Sequence, residues 1–228
     1  LYDKDATADA VRKTMSRTKK QMKGKEHARF VLLLASHGML DEDDQGWICC
    51  HGCDRDELES TCIRMQSLRD FSKGLHCTHQ LYLLDCCHAG SFLEGTRAAP
   101  SKYEMALLKS PAIYGMTAVT KDQEAIEAEG HGIFTKLVVD GLNGNVETGD
   151  RSYVTATELF SYVQRGVLDE ADRRHREQMP KFQPLWQMHK KKSCDGQVLF
   201  FKPGKMEGTA AGSPVNAVRS SKSKNDSM

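Results

Sequence analysis

The stretch "LYLLDCCHAG" (Leu81 to Gly90) runs through four apolar residues into Asp85, two adjacent cysteines and a histidine, and stops at a glycine. A short continuous apolar run with such an ending reads as a strand covered on both faces, as in the middle of a parallel sheet. Side chains alternate along a strand, so Cys86 and Cys87 face opposite ways: Cys86 into the core, Cys87 at the carboxyl rim. "RFVLLLASHG" (Arg29 to Gly38) repeats the design, ending in His37 and Gly38. "AIYGMTAV" (Ala112 to Val119) and "QVLFF" (Gln197 to Phe201) extend the expected sheet.

Between these runs lie helical patterns. "DATADAVRKTMSRTKKQM" reads as an amphipathic surface helix with a solvated basic face, and "DELESTCIRMQSLRDFSKGL", "HGIFTKLVVDGL" and "TATELFSYVQRGVLDEADRRH" as further helices. Thr155 followed three residues on by Glu158 is a capping-box signature. "MLDEDDQGWICCHG" reads as an acidic loop leading into a short hairpin. Strands alternating with helices predict an α/β fold, a three-layer sandwich with a mostly parallel central sheet flanked by helices.

In such sheets working residues collect at the carboxyl ends of the strands. If the first two strands are parallel neighbours, His37 and Cys87 share one rim. A thiol of ordinary pKa, about 8.5, is only a few per cent thiolate at neutral pH, so a nearby imidazole is useful as a general base. Gly38 allows close approach of its backbone N–H, which together with the N–H of Cys87 forms a candidate oxyanion hole.

His37 stands 50 positions before Cys87, the spacing found in caspases. "SHG" (Ser36 to Gly38) resembles the caspase histidine motif, and "DCCHAG" (Asp85 to Gly90) the metacaspase "DCCHSG" box, in which the second cysteine is the nucleophile. "SPAIYGMTAVTKDQEAIE" is similar to the substrate-binding strand and "DQ-x-A-x-E" turn of caspase-like peptidases. "GHGIFTKLVVDGL" and "VTATELFSYV" are similar to their "G-x-F-T" and "T-x-x-E-L-x-x-Y-V" helices. The resemblance spans roughly Asp5 to Trp186. It implies a caspase-hemoglobinase fold and a cysteine endopeptidase with His37 as general base and Cys87 as nucleophile. It also implies Asp85 in the pocket for the residue before the scissile bond, selecting Arg or Lys through charge-assisted hydrogen bonds. The strand at Met116, Thr117 and Ala118 is then expected to hold the substrate backbone. Because the family opens with a strand, an "N-D-A"-bearing helix and a second strand ahead of the matching part, the domain over 1–202 is expected to be N-terminally incomplete. The alternative is a caspase-like scaffold or regulatory interaction module without turnover.

Composition sets the remaining expectations. With 32 Lys plus Arg against 31 Asp plus Glu, no overall field favours nucleic acid, and the expected partners are protein or peptide substrates bearing basic residues. No apolar run approaches a membrane span and the opening residues are not a signal peptide. Eight cysteines, two pairs of them adjacent, point to free thiols in a reducing cytoplasm. Cys50 and Cys53 with His76, Cys77 and His79 form a poor zinc pattern, so no metal and no cofactor are expected. The acidic run Asp41 to Asp44 is the place for an activating calcium, if the resemblance extends that far. Arg97, Lys102 and Lys121 are candidate self-processing sites. From Pro203 to Met228, Gly, Ser, Lys and Asn dominate, and a disordered tail is expected.

Overall fold

The computed structural model of the chain describes residues 1–93, 110–120, 123–128, 131–185 and 196–202. Arg97, Lys102, Lys121 and the tail from Pro203 lie outside the described residues.

A central four-stranded sheet is built from β1 (Arg29–Ala35), β5 (His79–Asp85), β6 (Ala112–Thr117) and β10 (Lys181–Pro184), in the order β1-β5-β6-β10. The first three are parallel and β10 is antiparallel to β6. β5 and β6 are buried at every residue, as continuous apolar runs demand. β1 departs from the expectation: it is an edge strand with alternating exposure. Phe30 meets Phe71 and Tyr82 on one face. On the other face Val31 and Leu33 stay 44% and 43% exposed, because nothing among the described residues covers it.

Helices flank the sheet. On the Phe30–Tyr82 side lie α1 (Ala8–Met22) and α3 (Met65–Lys73). Thr7 caps α1 by accepting from the Ala10 N–H. On the other side α4 (Ile133–Asp140) packs with α5 (Ala156–Arg173), which opens with the expected capping box, Thr155 and Glu158 exchanging both bonds. Tyr114, Phe182 and Phe160 stack in series from β6 through β10 to α5.

Three elements differ from the sequence reading. "QVLFF" yields β11 (Leu199–Phe201), which pairs with β9 (Tyr153–Thr155) rather than joining the central sheet. The fourth central strand is instead β10, a short polar run ending in proline that only its pairing with β6 makes legible. The expected helix through "DELESTCIRMQSLRDFSKGL" is interrupted. A single turn, α2 (Leu58–Thr61), precedes β4 (Cys62–Arg64), which adds to the hairpin of β2 (Gly38–Leu40) and β3 (Gly46–Cys49). Burial of Cys62 and Ile63 in that sheet outweighs local helix propensity. Arg12 of the expected solvated face instead bonds the carbonyls of Glu59, Ser60 and Cys62, tying α1 to α2 and β4.

Candidate active site

The register of β1 on β5 brings the two candidate catalytic residues together. Ala35 pairs with Asp85, so His37 and Cys87 each stand two residues beyond the same rung, on the same carboxyl rim. The Ser36 N–H donates to the Asp85 carbonyl at 3.0 Å and extends the ladder by half a step. His37 and Cys87 then line one open cleft of about 570 Å³, with Glu124, Ala125, Ile126, Glu127, Arg174 and Arg176.

Gly38 is required by contact. A β-carbon there would lie 2.0 Å from the Cys87 carbonyl oxygen, a backbone atom with no room to yield. Its N–H is free of the hairpin ladder for a separate reason. The Cys49 N–H donates to the His37 carbonyl at 2.9 Å, which makes His37–Cys49 a hydrogen-bonded pair. Alternation then turns the backbone groups of Gly38 away from β3. Gly38→Ala is predicted to force the His37 and Cys87 backbones apart. The expected cost is about 1–3 kcal/mol of stability and, through the displaced donor, a kcat loss of about 10²–10³. Thermal melts and peptidase kinetics check this; near-parental kcat would show that the contact has no part in turnover.

The "DCCHAG" box is bent sharply. Cys86 is buried as expected, and burial raises its thiol pKa, the charges of Asp85 and Cys87 acting in the same direction. Cys87 is half-exposed. His88 follows with φ of 59°, a left-handed conformation uncommon outside glycine, and the Ala89 N–H closes the turn on the Cys86 carbonyl. The tight turn lifts Cys87 off the end of β5 before the chain drops into the buried Phe92 and Leu93.

Asp85 is 5% exposed and is not among the residues that line the cleft. One carboxylate oxygen accepts from the Thr135 backbone N–H at 3.0 Å and from its hydroxyl at 2.6 Å. Thr135 is the third residue of α4, whose N-cap Gly132 has no side chain to offer, so Asp85 caps that helix from across the fold. A β-carbon on Gly132 would lie 2.1 Å from the same carboxylate. Burial pushes the Asp85 carboxyl above the usual range; the Thr135 bonds oppose this and the nearby Glu127 charge adds to it. The "G-x-F-T" pattern thus has a physical content that the spacing alone did not reveal. Gly132 gives the carboxylate room, Thr135 binds it, and Phe134 anchors the helix in the core.

Met116, Thr117 and Ala118 require a correction. All three are fully buried. β6 is bonded to β5 on one side and β10 on the other, the Ala118 N–H donates to Leu84, and the Ala118 carbonyl accepts from Gln178. Among the described residues no free ladder is left there for a substrate strand. These residues support the site from beneath, and the segment that reaches the cleft is Glu124 to Glu127. Gln178, 2% exposed, joins the two by also accepting from the Ile126 N–H at 2.8 Å. Gln123 similarly accepts from the Met179 N–H at 2.9 Å. Sequence reasoning missed Gln178 and the two arginines, which lie in an unpatterned run after α5. For Gln123 the "DQ-x-A-x-E" turn was the available signal.

The acidic run serves the hairpin. Asp41 accepts from the backbone of Asp43 and Gln45 and from the Trp47 indole at 2.7 Å. Among the described residues the only convergent group of metal-ligating side chains is Cys49, Cys53 and Cys62. Cys50, His76, Cys77 and His79 do not join it.

The caspase-domain family model matches residues 2–187. The chain belongs to the caspase-domain peptidase family. That family is one of cysteine peptidases, and the α/β sandwich with its mostly parallel sheet is the fold it predicts. Among solved structures the domain is similar to a protein from Geobacter sulfurreducens, at 17% identity over 80% of this chain and 75% of that one, with a TM-score of 0.49. No curated protein matched the sequence. No helix among the described residues is long and apolar enough to cross a membrane.

Proposed function

We propose that this caspase domain is a cysteine endopeptidase of the metacaspase type that cleaves after Arg or Lys in a reducing cytoplasm. The carrying observation is the placement of His37 and Cys87 two residues past one rung, lining one cleft. His37 takes the Cys87 proton and the thiolate attacks the scissile carbonyl. The developing oxyanion rests on the N–H groups of Gly38 and Cys87. The His37 imidazolium protonates the leaving amine, then as base activates the water that hydrolyses the thioester.

Charge in the cleft supports a basic substrate residue. Arg176 pairs with Glu124 at 3.4 Å, and Arg174 with Glu170 at 2.8 Å. Glu127 has no ion pair among the described residues, and the buried Asp85 lies close enough to feel its charge. These two acids are the proposed recognition pair for an incoming cation. The deciding assay compares matched peptides ending in Arg, Lys and Asp. Arg and Lys are expected to be cleaved and Asp to resist; a preference for Asp, or no turnover of any peptide by folded protein, defeats the reading.

A further inference from the structure

Three thiols that the proposed chemistry does not use converge directly behind the histidine. Cys49 ends β3 and Cys62 opens β4, and the two are cross-strand partners. The Cys49 N–H is committed to His37 on the other side of β3, so alternation makes Cys49–Cys62 the non-hydrogen-bonded type of pair, in which side chains come closest. Cys53 reaches the same point from the loop after β3. Gly52 turns that loop with φ of 78°, and the Cys53 N–H closes on the Cys50 carbonyl at 3.0 Å. The sulfur of Cys53 stands 2.7 Å from that of Cys62, and all three sulfurs lie within 4.8 Å of one another.

We propose that Cys49, Cys53 and Cys62 form a structural site for zinc. A tetrahedral zinc with sulfurs at about 2.3 Å spaces its thiolates about 3.8 Å apart, inside the 4.8 Å that bounds this cluster, and the Cys53 and Cys62 sulfurs, now 2.7 Å apart, would separate by about 1 Å to take it. The ligands come from a strand, a tight left-handed turn and a second strand, a frame held by hydrogen bonds rather than by the cysteines themselves. Arg12 fixes the Cys62 carbonyl at 2.7 Å, and the His51 N–H fixes the loop to the Ala6 carbonyl at 2.9 Å. The fourth position falls to water, since among the described residues only these three side chains converge there. A disulfide would consume two of the sulfurs and leave the third without purpose, whereas zinc uses all three.

The site lies against the base. Cys49 donates to the His37 carbonyl, and the Ser36 hydroxyl donates to the Cys49 carbonyl. Zinc there cross-links β3, the loop and β4, and through Cys49 holds the segment that carries His37. Occupancy is read by metal content and spectroscopy, so its outcome is independent of whether the domain turns over peptides.

The test is metal analysis of the chain purified under reducing conditions in zinc-containing medium, followed by replacement with Co²⁺. Stoichiometric zinc is expected, with intense thiolate-to-cobalt charge transfer and the visible bands of a tetrahedral ion. Cys53→Ser should weaken Zn²⁺ binding by on the order of 100-fold or more, since losing a ligand costs at least what losing an outer partner does. Cys87→Ser should keep it. Folding of Cys53→Ser is checked by circular dichroism; if that variant does not fold, the cobalt spectrum of the parent decides. A reduced parent that takes up neither ion, a cobalt spectrum without thiolate character, a Cys53–Cys62 disulfide persisting under reductant, or parental affinity in Cys53→Ser each overturns the site.

Discussion

Cys87→Ser and His37→Ala are each expected to abolish cleavage of an Arg-ending peptide, and the double variant to be no slower than either alone. A hydroxyl at position 87 is close in size to the thiol, so the turn at His88 and the contact with Gly38 survive. Turnover still falls by about 10⁴-fold or more, as when the nucleophile of a hydrolase is removed, and loss of the base costs at least about 10²–10⁴. The two effects are expected not to add because the residues would act as one unit: without the base nothing takes up the thiol proton, and without the thiol the base has nothing to activate. The geometry makes this a strict expectation, since the shared Ala35–Asp85 rung lets neither residue approach a substrate without the other. An electrophilic peptide ending in Arg should label the parent and spare Cys87→Ser. A Cys87→Ser protein keeping a tenth of parental activity would remove Cys87 from the mechanism, and silence of the folded parent toward both substrate and label would favour a scaffold without turnover.

How much of this was legible depended on whether a residue's environment is made locally. β5 announced itself because every residue is buried, and Cys86 and Cys87 parted company by strand alternation alone. β1 is a comparable apolar run but sits at the sheet edge, and sheet position is set by partners that such a run cannot reveal. β10 reads as a polar loop with a proline; its strand state comes from pairing with β6 and the stacking of Phe182 between Tyr114 and Phe160. β4 hides inside a helical pattern because three residues carry too little periodicity to compete with their flanks. The thiol cluster shows the same limit in another form. C-x-x-C spacing points to Cys50, but the pairing of β3 with β4 sets Cys49 opposite Cys62, and Cys49 is the one that joins Cys53 and Cys62. The seat of Asp85 joins residues 50 positions apart, through a helix N-terminus whose own cap is a glycine.

Asp85→Asn should leave the fold as stable as the parent or more stable at neutral pH while removing selection for Arg and Lys. The amide oxygen of Asn can accept both Thr135 bonds that now hold the carboxylate, so α4 keeps its cap. What the substitution removes is a negative charge in a site that disfavours it: burial first, with the Glu127 charge adding, holds the folded carboxyl above its ordinary value of 3.8. The sign follows from linkage. With the folded pKa above the unfolded one, the native state takes up the proton first, so the parent gains stability as pH falls through the folded pKa toward 3.8 and loses it on the way up. The advantage of Asp85→Asn over the parent is therefore present at neutral pH and shrinks as the medium is acidified. Melting curves of both proteins across that range check the stability half. Catalysis moves the other way. Truncating one partner of a buried, hydrogen-bonded charge pair costs about 2–5 kcal/mol, which is at least about 30-fold in kcat/KM for an Arg-ending peptide, with far less change for a neutral analogue of similar length. Glu127, exposed at the cleft wall, should matter less, and Glu127→Gln is expected to stay within about tenfold of the parent. Unchanged Arg cleavage by a stable Asp85→Asn protein would make Asp85 a helix cap and nothing more, and would leave Glu127 to carry the preference. A large loss confined to basic substrates would mean that the charge which strains the folded state is the one that chooses what Cys87 attacks.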